Sequence, residues 1–223
     1  MLPTVLDEGI EGLHFHVLCE NDSYTLERTL KHFEGKFSKY FKHLKWVNMG
    51  GGHLITREGY DIEHLINIIR RFIDKHNLEV ILEPGEAVGW KTGYLISTVL
   101  DIVDSGGIRT AIIDSSFAAH MPDCLEMPYK PYVYNTIDDT KKGYKYRIGG
   151  ITCLAGDYIG DYFFESELKE GDILVFDDMI HYTMVKNTTF NGVNLPSIGI
   201  IMPSGEIKII KKFSYSDYKD RLS

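Results

Sequence analysis

Apolar and polar positions along the chain follow two regimes that change near residue 90. In the first, short apolar runs alternate with longer stretches where apolar residues recur every three or four positions. Residues 12–19 alternate like a strand, placing His14 and His16 on one face and Phe15 and Val17 on the other. Leu26, Leu30, Phe33, Phe37, Tyr40, Phe41 and Leu44 form the stripe of a helix predicted over 23–43, with Ser23 as its N-cap. Residues 46–49 read as a short strand running into Gly50-Gly51-Gly52-His53. Ile62, Leu65, Ile66, Ile69, Phe72 and Ile73 mark a second amphipathic helix, and residues 78–82 a buried strand. The order strand, helix, strand, helix, strand predicts parallel β/α units over residues 1–89.

From residue 90 to 223 the pattern turns to closely spaced β-rich runs, at 94–104, 109–114, 144–153, 172–176, 182–185, 197–202 and 207–213, most of them separated by Gly and Pro turns. An antiparallel sandwich or barrel is expected here. Residues 122–140, rich in Pro, Tyr and Asp, read as a long functional loop. Three β/α strands cannot close a barrel, so the remaining strands are expected from a segment before Met1 or from a partner.

Composition narrows the chemistry. A formal charge of −8 without a concentrated basic stretch argues against a nucleic-acid partner and suits a cationic small molecule. Three cysteines with no C-x-x-C pair favour a reducing compartment, with the cytoplasm as default. No apolar run approaches the length of a membrane span, so no membrane association is expected.

Two stretches concentrate potential chemistry. Glu83-Pro84-Gly85-Glu86-Ala87-Val88-Gly89-Trp90 ends a buried run with carboxylates and glycines at a strand's carboxyl end, where α/β proteins place their sites. One β/α unit earlier, the Gly50-Gly51-Gly52 turn allows backbone N–H groups to face an anion. The same residues also read as an ordinary strand exit and a plain loop.

His16, Gly50-Gly51-Gly52, Glu83-Pro84-Gly85, Cys153 with Asp157, and Tyr182 followed by Phe190-Asn191-Gly192 together resemble the fold-type III pyridoxal-phosphate decarboxylases. Within that group, the strings at residues 13–20, 83–89 and 153–157 look like carboxynorspermidine (carboxyspermidine) decarboxylase, and the resemblance spans essentially the whole chain. It implies a fold of α/β plus all-β class: the C-terminal part of an alanine-racemase-like (β/α)8 TIM barrel, followed by an antiparallel β-sandwich or barrel domain. It also implies pyridoxal 5'-phosphate as cofactor, a polyamine substrate carrying one carboxylate, and a homodimer with shared active sites.

Roles follow from the resemblance. Glu83 would keep the pyridine nitrogen protonated, since an anion beside a pyridinium favours its charged form. His16 would stack on the ring. Gly50, Gly51 and Gly52, with Gly85 nearby, would hold the phosphate, and Tyr182 would add a phenolic hydroxyl. Cys153 would protonate Cα across the subunit boundary after carbon dioxide leaves. Glu86 stands where related decarboxylases carry a phosphate-binding arginine, and its reversed charge suits a substrate amine. Asp123 and Asp157 are further amine-binding candidates, while His14 and His53 are without a firm role. The lysine that forms the family's Schiff base has no counterpart here: Lys31, Lys36, Lys39, Lys42 and Lys45 fall on or beside a predicted helix. Two other readings stay open, a non-catalytic subunit donating Cys153 and Asp157 to a partner, and a metal-dependent hydrolase using His14 and His16.

Overall fold

The computed structural model describes residues 9–127, 129–138 and 142–222. The chain divides into two compact units, Met1–Trp90 and Lys91–Ser223.

In the first unit, strands β1 (Gly12–His14), β2 (Trp46–Asn48) and β3 (Glu79–Ile81) pair in parallel in the order β1-β2-β3, with His14 opposite Asn48 and Asn48 opposite Ile81. Helices α1 (Ser23–Phe41) and α2 (Ile62–His76) supply the crossovers. The helical stripe buries Leu26, Leu30, Phe33, Tyr40 and Phe41 with Val47, Met49, Leu65, Ile68 and Phe72 in one core. The cap of α1 is Asp22 rather than Ser23: its Oδ1 accepts from Thr25 N at 2.8 Å, a bond that draws the carboxyl below its ordinary range. Ser23 lies buried as the first helical residue, with its hydroxyl 3.0 Å from His64 Nδ1. The strand expected over 12–19 stops at His14, and Val17 beyond it is exposed. A short helix α3 (Gly85–Gly89) follows β3.

The second unit has strands β4 (Leu95–Ser105), β5 (Ile108–Ile113), β6 (Tyr144–Gly149), β7 (Tyr158–Phe164) and β8 (Ile173–Phe176) in one sheet ordered β7-β6-β5-β4-β8. All neighbours are antiparallel except β5 and β6, which run parallel. Both outer strands bond to one segment: Tyr134 N donates to Val175 O and Ile137 N to Phe163 O, at 3.0 and 2.8 Å. This strap connects the sheet's two edges and leaves neither outer strand fully open. The wall encloses Val99, Ile113, Phe117, Tyr146, Ile148, Phe164 and Phe176. The expected sandwich or barrel is therefore a single sheet bridged by a strap, with a separate hairpin of β9 (Ile198–Ile201) and β10 (Ile207–Lys211).

Helices α4 (Phe117–His120), α5 (Pro122–Glu126), α6 (Tyr182–Val185) and α7 (Tyr215–Leu222) complete the unit. The stretch expected to be one long loop at 122–140 contains α5 and the strap, and its positions 128, 139 and 140 lie outside the described residues. Residues 182–185, expected as a strand, form α6, since a four-residue apolar run carries no periodicity to separate helix from strand. Among the described residues, no helix is long and apolar enough to cross a membrane.

Candidate functional site

The carboxyl ends of β1, β2 and β3 bring together residues far apart in sequence. Gly50 and Gly52 have φ of +72° and +80°. A Cβ on Gly50, Gly51 or Gly52 would lie 2.5 Å from Phe15 O, 2.3 Å from Glu83 O or 2.2 Å from Leu18 O. Glycine is required at all three because the turn after β2 is wedged between its two neighbours' backbones. Glu83 N donates to Gly50 O at 2.8 Å, locking the β3 exit to that turn.

Against this frame, Asn48 Nδ2 donates to Glu83 Oε1 at 2.7 Å, and Asn48 Oδ1 accepts from Gly50 N at 2.8 Å. Glu83 Oε2 lies 3.8 Å from His14 Nε2. Gly51 N donates to His16 Nδ1 over a long 3.3 Å, fixing that imidazole beside the carboxylate. His14, His16 and Glu83 are exposed, with one ligand-capable atom of each within 4.8 Å of the others. His53 is fully buried with no partner for either ring nitrogen among the described residues, and burial lowers its pKa. Asn48 was not singled out as a site residue, although its place as the last residue of β2 puts it in the row of His14.

The expected glycine cradle is partly committed. Of its three N–H groups, those of Gly50 and Gly51 already donate within the protein; the Gly51 bond is long enough to give way to a stronger acceptor. No partner is seen for Gly52 N–H among the described residues. A carboxylate held by an amide, an imidazole beside it and two available backbone donors form a donor set that fits a pyridoxal phosphate: an anion for the ring nitrogen and N–H groups for the phosphate. Gly85 and Glu86 open α3, with Glu86 half-buried.

In the second unit, Cys153 and Asp157 share one turn. Cys153 is exposed, and its Sγ accepts from Asn191 Nδ2 at 3.0 Å. Asp157, expected to meet a substrate amine, is instead buried, with 4% of its surface exposed. Its Oδ1 accepts from Ala118 N at 3.0 Å, and its Oδ2 from Thr152 N at 3.1 Å and Thr152 Oγ1 at 2.6 Å. The carboxylate is spent on closing the turn that carries Cys153. Asp123, on α5, is largely buried and pairs with Lys186 Nζ at 3.0 Å; Lys186 also meets Glu126, and both acids raise the lysine's pKa. That pairing ties α5 to the C-terminal end of α6, whose first residue, Tyr182, is half-exposed.

A sequence profile described as "Pyridoxal-dependent decarboxylase, C-terminal sheet domain" matches residues 5–180. The chain belongs to the pyridoxal-dependent decarboxylase family. It is 48% identical over its whole length to a carboxyaminopropylagmatine decarboxylase of Synechocystis sp.. Over 96% of its length it is 49% identical to a carboxynorspermidine/carboxyspermidine decarboxylase of Campylobacter jejuni. It covers 58% of each of these relatives. Among solved structures, the carboxynorspermidine decarboxylase of Campylobacter jejuni complexed with norspermidine superposes with a TM-score of 0.88 at 48% identity, over 98% of this chain and 62% of that one. A diaminopimelate decarboxylase shares the fold at 20% identity, with a TM-score of 0.74. Among the described residues, chemically active groups gather around Glu83 and, separately, around Cys153.

Proposed function

We propose that this chain forms part of a decarboxylase that uses pyridoxal 5'-phosphate to release carbon dioxide from a carboxylated polyamine, carboxynorspermidine or carboxyspermidine. The observation that carries this reading is Glu83, pinned at the end of β3 by Asn48 and flanked by two histidines. When bound, pyridoxal phosphate supplies the electron sink for the charge left at Cα. Glu83 keeps the pyridine nitrogen protonated, and the Asn48 bond holds that carboxylate in one orientation. His16 would stack on the ring, and the backbone N–H groups of Gly51 and Gly52 would donate to the phosphate. Glu86 offers a carboxylate to a substrate amine. Asp123 already binds an ammonium, that of Lys186, which a substrate amine would have to replace.

Cys153 would deliver a proton to the substrate's Cα in the neighbouring subunit's site, which makes the active form a homodimer; free cysteines suit a reducing compartment, the cytoplasm. The three parallel strands are part of an eight-stranded TIM barrel, consistent with the greater length of the relatives.

The test is a chimera in which this chain replaces the matching portion of the Campylobacter jejuni relative, assayed for carbon dioxide release. Carboxynorspermidine, carboxyspermidine and carboxyaminopropylagmatine are offered in parallel. Release from either of the first two, abolished by Glu83→Ala, is the expected result. A folded chimera that binds pyridoxal phosphate and is inert on both refutes the substrate assignment. The His14, His16 and Glu83 grouping favours a second reading, a metal-dependent hydrolase. Stoichiometric zinc retained through dialysis, with activity lost to a chelator, would select it.

A further inference from the structure

Cys153 and Asn191 are 38 residues apart in sequence, and each is held by its own set of bonds before they meet. On the cysteine side, Thr152 is clamped by Asp157 through both its N–H and its hydroxyl. Leu154 N donates back to Thr152 Oγ1 at 3.4 Å, and Asp157 N to Leu154 O at 2.9 Å. Ile151 N reaches Ser115 O at 3.1 Å, tying the turn to the segment before α4. The backbone around the sulfur is thus anchored on both sides, which leaves its side-chain torsion as the main remaining freedom.

On the asparagine side, residues 190–192 form a single 3-10 turn in which Asn191 takes the left-handed conformation, φ 59° and ψ 17°. Gly192 N donates to Thr189 O at 2.9 Å, and Thr188 N to Ala119 O at 2.8 Å, anchoring this loop to α4 as well. Few residues other than glycine accept that backbone, and of those that do, asparagine also carries an amide donor.

We propose that Asn191 is a positioning residue for the Cys153 thiol: its amide donates to Sγ, fixes the sulfur's orientation and leaves the S–H to point elsewhere. Once the proton has left, the same N–H faces a thiolate and stabilises it, so the bond strengthens as the acid gives up its proton. The inference rests on the proposed role of Cys153, but its geometry does not depend on cofactor or substrate.

The test reads the thiol directly. The 223-residue chain is treated with iodoacetamide between pH 6 and 10, and alkylation of the Cys153 peptide is followed by mass spectrometry, which separates it from Cys19 and Cys124. Asn191→Gly keeps the left-handed backbone and deletes the donor; Asn191→Asp keeps shape and backbone but presents an anion. Alkylation at pH 7 is expected to slow about threefold in Asn191→Gly and further in Asn191→Asp, with both pH profiles moved to higher pH. A melting curve unchanged in Asn191→Gly assigns the effect to the donor. Profiles identical to the parent in both variants overturn the inference. Because no decarboxylation is measured, a shifted profile with an inert chimera condemns only the proposed function, and an active chimera with unshifted profiles condemns only this inference.

Discussion

Replacing Asp157 with alanine tests the finding that this residue is structural. The carboxylate is buried and receives three bonds, from Ala118 N, Thr152 N and Thr152 Oγ1. Hydrogen bonds to a charged group contribute about 1.5–3 kcal/mol each, so three amount to about 4.5–9 kcal/mol before the cost of burying the charge. Desolvating a carboxylate costs several kcal/mol, which removes a large part of that sum. In Asp157→Ala the charge is gone, so its desolvation cost is recovered, but three donors lose their acceptor. Water entering the space satisfies part of that need. The net loss expected is about 3 kcal/mol. Asp157→Asn retains one carbonyl oxygen while its NH2 meets donors, and should lose about 2 kcal/mol. Urea unfolding of the parent and both variants, read by circular dichroism, gives the midpoint shifts at constant slope. A loss below about 1 kcal/mol for Asp157→Ala would show that the turn does not depend on the carboxylate, and would return Asp157 to the pool of ligand candidates.

Two further substitutions probe the first unit. Asn48→Ala removes the bond that orients Glu83 and should lower the chimera's kcat about tenfold, less than Glu83→Ala, with KM for the polyamine little changed; an unaltered kcat would show that the carboxylate needs no such restraint. His53, buried and without a partner among the described residues, has its pKa lowered in the fold by that burial, so the unfolded chain binds its proton more readily. Stability from this group is therefore full above the ordinary histidine pKa near ~6.5 and falls as pH drops below it. His53→Leu should flatten the decline in melting temperature between pH 6.5 and 5, and an identical decline in the variant would refute the assignment.

Several elements were legible in local spacing. The three-and-four recurrence from Leu26 to Phe41 needs only the geometry of a helix resting on a core, and the strand ends at Asn48 and Ile81 fall within one residue of the expected ranges, whereas β1 stops at His14, well short of the end expected at residue 19. Strand β7 was not expected because Gly160, at φ +45°, and Asp161 interrupt its apolar alternation. The strap at 133–137 engages the sheet's two edges through backbone groups, which leave no side-chain signature.

By itself the sequence determined the β/α rhythm of the first ninety residues, the β-rich character of the remainder and the strand-end location of the acidic turn, since these follow from periodicities encoded in near neighbours. Tertiary structure alone decided which side chain serves which. Asn48 orients Glu83 and Asn191 meets Cys153 only because turns distant in sequence are packed to hydrogen-bond distance. Asp157 became a clamp rather than a free acid because folding buried it among three donors, a fate no local pattern distinguishes from an exposed carboxylate.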